Sequence, residues 1–265
     1  MITEIARAKL NLALHVRARR PDGYHELETL FAFVEDGDVL QVEPADTDSF
    51  ALTGPFAAAL AGEADNLVTR AATRFREAFG GGGHAITLDK RLPVASGIGG
   101  GSADAGATLR ALGRLHGVPL GEMFDIAAAL GSDVPACLLG ETAIGRGRGE
   151  RLEPVPGLPG MPVLLVNPDV AVSTAEVFTR WDGIDRGPLT PDPMLGRNDL
   201  YAPARLVAPV IETVMAWLDA QKGVTLARMS GSGATCFALF DSKAARAAAA
   251  AGVPQGWWHL ETRLV

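Results

Sequence analysis

Four glycines within five positions, Gly97 to Gly101, constrain this chain more than any other feature of its sequence. The run follows Pro93 and lies between a predicted strand and a predicted helix. Glycine density at such a junction lets backbone N–H groups converge on an anion, while the helix N-terminus adds its positive end. The run therefore indicates a phosphate-binding loop, although by itself it is about equally typical of a flexible turn with a serine N-cap.

The loop matches neither common nucleotide-binding pattern. No Lys-Ser or Lys-Thr pair follows its glycines, as a Walker A loop requires, and the last glycine of the dinucleotide fingerprint is missing. The run from Gly80 to Ala85 does satisfy a loose Gly-x-Gly-x-x-Ala pattern, but it follows a predicted helix and precedes a predicted strand. We expect an ordinary loop at that second run.

The spacing of apolar residues predicts an α+β fold. Alternation from Ile2 to Val16 predicts a first strand, and a Pro-Asp-Gly turn at 21–23 with short β-rich runs at 29–34 and 39–42 predicts antiparallel hairpins. Helices are predicted over residues 66–79, 103–116, 120–130, 174–181, 206–220 and 243–251, and further strands over 84–88, 163–166, 226–229, 236–240 and at the C-terminus.

The stretch from Pro154 to Pro162 contains four prolines and is the best candidate for a domain junction. We place the boundary there, which predicts an N-terminal domain over residues 1–155 that contains the glycine loop. The remaining residues, 156–265, are predicted to form an α+β domain with helices on one face of a mostly antiparallel sheet.

The net charge of −7 and the pI near 5.3 argue against a nucleic-acid partner or an anionic membrane surface, because both need clustered positive charge. No apolar run approaches the length of a membrane span. The two cysteines, Cys137 and Cys236, show no metal-binding spacing and no disulfide framework, which favours the cytoplasm. We expect a monomer or a weak homodimer.

Three further groups of residues could have catalytic or ligand-binding roles. Asp133, within Gly-Ser-Asp-Val-Pro, could accept a hydroxyl proton or hold a metal ion, although an isolated aspartate at a helix end is more typical of a cap or a turn. Lys9 and Asn11 share the polar face of the first strand and either line a cleft or face solvent. Tyr24 and His25 could stack on a base and read its edge, or could form a plain aromatic pair at a hairpin edge.

Other loops in the C-terminal half are weaker indications of a ligand-binding site. The small-residue loop from Ser230 to Ala234 permits close backbone approach to a ligand, but equally suits a long hairpin turn. Arg146, Arg148 and the segment 197–199 are charged loop residues, most of which are simply solvated in proteins.

Taken together and in order, these motifs resemble the galactokinase, homoserine kinase, mevalonate kinase and phosphomevalonate kinase superfamily. Three marks carry this resemblance: a first strand that bears a lysine, a Pro-x₃-Gly-x-Gly-rich loop before a helix, and a C-terminal Gly-Ser-Gly-Ala loop. Within the superfamily the chain resembles one member over residues 8–237, through Ala-Lys-Leu-Asn-Leu at 8–12, Arg-Pro-Asp-Gly-Tyr-His at 20–25, the glycine loop and Gly-Ser-Asp-Val-Pro at 131–135. It implies a two-domain small-molecule kinase fold, with an N-terminal ribosomal-S5-like domain, a C-terminal ferredoxin-like α/β domain and the active site between them.

The resemblance also implies an activity: phosphorylation by ATP and Mg²⁺ of the 2-hydroxyl of a cytidylylated methylerythritol, in the non-mevalonate isoprenoid pathway. By family likeness Asp133 is the general base, Lys9 its charged partner, and Asn11 positions the hydroxyl. Tyr24, His25 and Phe178 would hold the cytosine of this cytidine-diphosphate substrate. The residues that would surround ATP are Asn66, Lys90, Pro93, Val94, Ala95, Ser96, Gly97, Ile98, Gly99, Gly100, Gly101, Ser102 and Ala103.

Two positions depart from the family pattern. Ala95 stands where relatives often have glycine, and Ala103 stands where many have a second serine, which leaves Ser102 as the hydroxyl for a metal ion or phosphate. The alternatives are a kinase of the same superfamily that acts on homoserine or a mevalonate derivative, and a non-catalytic nucleotide- or RNA-binding protein. The Tyr24–His25 pair argues against the first, since those acceptors carry no base, and the acidic charge argues against RNA.

Overall fold

The structure is a computed structural model that describes residues 1–60, 66–190, 192 and 195–265. The chain folds into two compact units whose segments alternate along the sequence. The first unit comprises Met1–Lys9, Asp36–Val94 and Gly99–Gly140, and the second comprises Leu10–Glu35, Ala95–Ile98 and Glu141–Val265. The predicted domain boundary at residue 155 stays a prediction.

The described residues form ten strands and eight α-helices. The strands are β1 (Ile2–Arg19), β2 (His25–Ala45), β3 (Ser49–Thr53), β4 (Gly83–Asp89), β5 (Ala143–Gly147), β6 (Arg151–Pro154), β7 (Pro162–Asn167), β8 (Val224–Met229), β9 (Cys236–Phe240) and β10 (Trp258–Arg263). The helices are α1 (Leu67–Phe79), α2 (Gly100–His116), α3 (Phe124–Leu130), α4 (Val134–Leu139), α5 (Thr174–Thr179), α6 (Tyr201–Val207), α7 (Val210–Asp219) and α8 (Lys243–Ala250).

The first unit contains a small sheet and a group of helices that pack against one another. The last third of β2 pairs antiparallel with β4, and β4 pairs in parallel with β3. Helix α1 buries Val68, Ala71 and Phe75, whose spacing of three and four residues places them on one face. Helix α2 is apolar over most of its circumference and is buried between its neighbours α1 and α4. This packing fixes α2, the helix that follows the glycine loop.

Helix α2 approaches the backbone of α4 at Gly106. A Cβ atom added at Gly106 would lie 2.7 Å from the carbonyl carbon of Cys137, too close for any real contact. We therefore expect Gly106→Ala to lower the free energy of unfolding by about 1–3 kcal/mol, because overpacking forces the backbones apart. Urea denaturation measures the change. Gly121→Ala is the matched control because nothing lies within 4 Å of its new methyl group, and an equal loss there would contradict the packing argument.

In the second unit, four antiparallel strands run in the order β10, β7, β9, β8. The inner strands β7 and β9 are buried at every position, so they read as continuous apolar runs instead of alternating ones. Helix α7 packs Ile211, Val214 and Leu218 into the same core, and β1 adds Leu14 and Val16 to it.

Several sequence predictions needed correction. The runs at 29–34 and 39–42 are parts of the single strand β2, because the polar residues between them continue the strand. The helix predicted over 206–220 is two helices: Pro209, which has no N–H to donate, stands between α6 and α7. Strands β3, β5 and β6 and helix α4 were not predicted. The sequence also predicts a long polar, proline-rich loop between the helices expected at 174–181 and 206–220, and part of that loop lies outside the described residues.

None of the helices in the described ranges combines the length and the apolar character that crossing a membrane requires.

Candidate active site

Lys9 and Asp133 form an ion pair in the first unit. The Lys9 ammonium lies 2.9 Å from Asp133 Oδ2, with the lysine side chain 3% exposed and the aspartate side chain 34% exposed. Strand β1 brings the lysine, and the turn before α4 brings the aspartate. A buried cation beside a carboxylate that still reaches solvent leaves one face of the carboxylate open to a reacting hydroxyl.

Asp133 occupies the N-cap position of α4, which is where the sequence left a capping role open. In the described part of the chain its side chain makes no capping hydrogen bond to that helix. The carboxylate is therefore committed to Lys9 and not to the helix end. Nearby, burial raises the pKa of the Cys137 thiol to about 12, and Asp133 adds to the effect. That cysteine stays protonated and is no nucleophile.

The glycine loop touches Lys9 at Gly99. Gly99 has φ +69°, and a Cβ atom there would lie 3.1 Å from Lys9 Cε. Its carbonyl accepts the N–H of Ala103 at 2.7 Å, the first turn of α2. Both the backbone conformation and the lack of a side chain are needed here, so glycine is the residue that lets helix α2 begin against Lys9.

A second, fully buried charge cluster joins both sides of the glycine loop. The Lys90 ammonium contacts Asp38 and lies 2.7 Å from Asp104 Oδ2. Asp38 also accepts the N–H of Leu92 at 2.8 Å. A Cβ atom at Gly100 would lie 3.1 Å from the same ammonium. The cluster therefore ties the chain before the loop to the helix that follows it.

Burial dominates the electrostatics of this cluster. It disfavours the charge of Lys90, but Asp104 and Asp38 outweigh it and raise the pKa of the lysine above its usual value. Burial also raises the pKa of Asp104 to about 8, against the opposing pull of Lys90. Burial therefore favours the protonated form of Asp104 near neutral pH.

In the second unit, His25 lies among aromatic rings. Its ring centroid is 4.8 Å from that of Phe178 and 5.6 Å from that of Trp181, which meets it edge-on. Its Nε2 is buried and has no hydrogen-bond partner among the described residues. Burial, and then the charge of Arg19, lowers the pKa of His25, so the imidazole is neutral at pH 7. This nitrogen is available to hydrogen-bond with a bound molecule.

The structure places the rings of His25 and Phe178, two residues predicted to hold the base, in contact with each other, and it adds Trp181, which the sequence analysis did not identify. Trp181 follows Phe178 by three residues, a helical spacing that could have signalled a shared face. Tyr24, by contrast, is half exposed, with the Arg148 guanidinium 4.9 Å from its ring centroid. Its predicted contact with the base stays a prediction.

Asn11 is buried, so the solvent-facing alternative is wrong for this residue. Its side-chain amide donates to Thr29 Oγ1 at 2.8 Å, and its backbone N–H donates to Ser230 Oγ at 3.3 Å. Lys9 is buried too, as its ion pair requires. Asn66, predicted near the nucleotide, accepts the N–H groups of Val68 and Thr69 and caps α1.

The first half of the glycine loop is held by the C-terminal small-residue loop, within the second unit. Ser230 Oγ donates to the Gly97 carbonyl at 3.0 Å, and the Thr235 N–H donates to the Ser96 carbonyl at 3.0 Å. Ala95 adopts φ +51°, a left-handed conformation that glycine enters more easily. The alanine therefore holds a backbone conformation that glycine adopts without steric cost.

A metal ion would find oxygen donors in the first unit. Ser102 lies in the first turn of α2, and the Asp133 carboxylate is partly exposed. Among the described residues there is no cluster of three or more histidine, cysteine or acidic side chains arranged to bind a metal. One hydroxyl and one carboxylate fit Mg²⁺, which usually takes one or two protein oxygens together with substrate phosphates and water.

Comparison with known proteins defines the class. Residues 66–141 match the GHMP kinases N terminal domain, and residues 192–257 match the GHMP kinases C terminal model. A homoserine kinase from Cytophaga hutchinsonii has the same fold, with a TM-score of 0.68 at 19% identity over 97% of this chain and 95% of that one. Fold and matched segments together define a GHMP kinase, and the predicted two-domain α+β kinase fold is confirmed.

Nearer relatives define the family within that class. A crystal structure of 4-(cytidine 5'-diphospho)-2C-methyl-D-erythritol kinase superposes with a TM-score of 0.86 at 36% identity over 99% of both chains. A 4-diphosphocytidyl-2-C-methyl-D-erythritol kinase of Rhizorhabdus wittichii is 56% identical over 99% of this chain and 94% of its own length. The 4-diphosphocytidyl-2-C-methyl-D-erythritol kinase of Novosphingobium aromaticivorans is 52% identical over 98% of this chain and 91% of its own length. The chain belongs to the 4-diphosphocytidyl-2-C-methyl-D-erythritol kinase family. The alternative of a non-catalytic binding protein is therefore set aside.

Proposed function

We propose that the chain transfers the terminal phosphate of ATP to the 2-hydroxyl of 4-diphosphocytidyl-2-C-methyl-D-erythritol, in the cytoplasm and as a monomer or weak homodimer. The observation that carries the choice of acceptor is His25, whose neutral ring has a buried, unsatisfied Nε2 beside Phe178 and Trp181. A flat heterocycle with donors and acceptors on its edge, such as cytosine, fits these rings. Homoserine and mevalonate offer no such group.

The chemistry falls to Asp133 and Lys9. Asp133 takes the proton of the 2-hydroxyl as the oxygen forms its bond to the γ-phosphorus and the bond to the ADP oxygen breaks. Lys9 orients the carboxylate and offsets the negative charge that gathers at the reacting oxygens. No covalent intermediate on the protein is needed, because phosphoryl transfer depends mainly on alignment and charge neutralisation.

The glycine loop binds the phosphates of ATP through backbone N–H groups and the start of α2. Lys90 and Asn66 support this nucleotide site. Ser102 and Asp133 would hold Mg²⁺ through their side-chain oxygens, and the ion would supply positive charge to offset the negative charge of the ATP phosphates.

The test measures ADP release with ATP, Mg²⁺ and three acceptors in separate reactions: the cytidylyl methylerythritol, homoserine and mevalonate. We expect turnover with the first alone. Equal kcat/KM with homoserine or mevalonate would overturn the proposed substrate and leave the kinase class intact.

Removing the second ring of the aromatic site should weaken acceptor binding selectively. Stacking of a base on an aromatic side chain contributes about 1–3 kcal/mol, so Phe178→Ala should raise the KM for the cytidylyl acceptor by about 5- to 150-fold. The KM for ATP should stay unchanged. Steady-state kinetics with each substrate varied in turn measures both constants.

The matched control is Phe79→Ala, which removes another half-buried ring, one that contacts Phe75 in the first unit. It should leave the KM for the acceptor unchanged. If Phe178→Ala raises both KM values alike, the ring has a general structural role and does not hold the base.

A further inference from the structure

The segment 197–199, which the sequence suggested was solvated, is docked on strand β1. Leu14 N–H donates to the Arg197 carbonyl at 2.8 Å, Asp199 N–H donates to the Leu14 carbonyl at 2.9 Å, and Val16 N–H donates to Asp199 Oδ2 at 2.9 Å. Asn198, between them, is buried. Three hydrogen bonds to one strand fix the backbone from which the Asn198 side chain projects.

The Asn198 amide is fully used. Its Nδ2 donates to the carbonyls of Met229 and Gly231, both at 2.8 Å, and its Oδ1 accepts the N–H of Leu200 at 2.9 Å. The reversed amide would place its oxygen against two carbonyl oxygens, so only this orientation satisfies the three partners. The two carbonyls it holds belong to the residues immediately before and after Ser230.

Ser230 in turn sets the orientation of the glycine loop. Its hydroxyl accepts the Asn11 N–H at 3.3 Å and donates to the Gly97 carbonyl at 3.0 Å, while the Thr235 N–H holds the Ser96 carbonyl. In a planar trans peptide, the C=O and the N–H of the next residue point in opposite directions. Holding these two carbonyls therefore turns the N–H groups of Gly97 and Ile98 toward the other side of the loop.

We infer that Asn198 is a positioning residue for ATP: by fixing the carbonyls on both sides of Ser230, it keeps the Ser230 hydroxyl on Gly97 and so aims two consecutive backbone donors at a phosphate. Two N–H groups that are already in place bind an anion more tightly than donors that must first be ordered, because no ordering entropy is lost on binding. The inference rests on the proposed function, which supplies the phosphate ligand.

The test measures binding of a non-hydrolysable ATP analogue with Mg²⁺ by calorimetry, together with both KM values. Asn198→Asp keeps the shape of the side chain but places a carboxylate oxygen against the carbonyl oxygens of Met229 and Gly231, so two hydrogen bonds are replaced by repulsion. We expect its Kd for the analogue and its KM for ATP to rise about 10-fold, with the acceptor KM unchanged. Ser230→Ala should give a similar rise, and the double variant should weaken binding no further than the larger single effect, since both act through one contact.

The control is Val214→Ala, a buried core residue of the same unit. It should lower the melting temperature and leave both KM values unchanged. An Asn198→Asp protein that melts earlier but binds the analogue like the wild type would overturn the positioning role. If that variant does not fold, Asn198→Ser and Ser230→Ala decide: normal binding by both overturns the inference. Because the analogue needs no acceptor, wild-type binding without turnover on the cytidylyl methylerythritol would instead count against the proposed substrate.

Discussion

Replacing Asp133 by asparagine is expected to lower kcat by about 10²- to 10⁴-fold, the range that a general base contributes. The asparagine has the same shape and its oxygen can still accept from Lys9, so the fold and the binding of ATP should survive. Only the capacity to take the hydroxyl proton is lost. Steady-state assays of ADP release, with the KM for ATP measured in parallel, test the expectation.

Asp125→Asn is the matched control, because it removes the same charge from an exposed position on α3 in the same unit. It should leave kcat within about twofold of the wild type, as surface substitutions normally do. If Asp133→Asn keeps nearly full kcat, the proton is taken by another group and the ion pair with Lys9 is structural. A large rise in the KM for ATP with unchanged kcat would point to nucleotide binding instead.

Replacing Lys90 by methionine is expected to lower the free energy of unfolding by about 3–5 kcal/mol, the usual result of removing one partner from a buried ion pair. Methionine fills much of the same volume, so the loss should come from the carboxylate of Asp38 that is left buried without its cation. Urea denaturation followed by circular dichroism measures it. A variant that loses ATP affinity at unchanged stability would show that Lys90 serves the nucleotide directly.

Two further variants make the Lys90 experiment specific. Arg74→Met breaks an exposed ion pair with Glu77 and should cost no more than about 1 kcal/mol. Adding Asp38→Asn to Lys90→Met removes the stranded charge while keeping an oxygen that can accept the Leu92 N–H, so it should recover part of the stability. No recovery would mean that the loss arises from packing and not from charge.

Local sequence patterns predicted most of the helices and strands, but not where two predicted segments form one strand or which strands pair. Helix α1 can be predicted because its apolar residues recur on one face, and the structure adds that Asn66 caps it. Strand β2 was read as two pieces because its middle is polar, and nothing local shows that a polar stretch is held by neighbours on both sides. Strands β5 and β6 carry arginines and glycines that read as turn residues, and their pairing is set by contacts distant in sequence.

The candidate site likewise contains residues that local motifs identify and residues whose role depends on the fold. Lys9, His25 and Asp133 stand in recognisable motifs, so their residue types and order could be read directly. The buried partners could not, because burial is a property of the fold. Lys90 has the same appearance in sequence whether it reaches a phosphate or pairs with two carboxylates. Asn198 sits in a charged loop whose docking depends on a strand more than 180 residues earlier.

Strand β1 carries a consequence for how this protein can be divided. Its Leu14 and Val16 belong to the apolar core that the four-stranded sheet and α7 build from the C-terminal part of the chain. A fragment of residues 156–265 would keep that sheet and lack those two side chains. Residues 156–265 alone therefore lack part of their own apolar core and cannot be exchanged as an independent domain. A recombination event that transplants them between kinases must carry residues 10–35 along, or the recipient must already supply a compatible first strand.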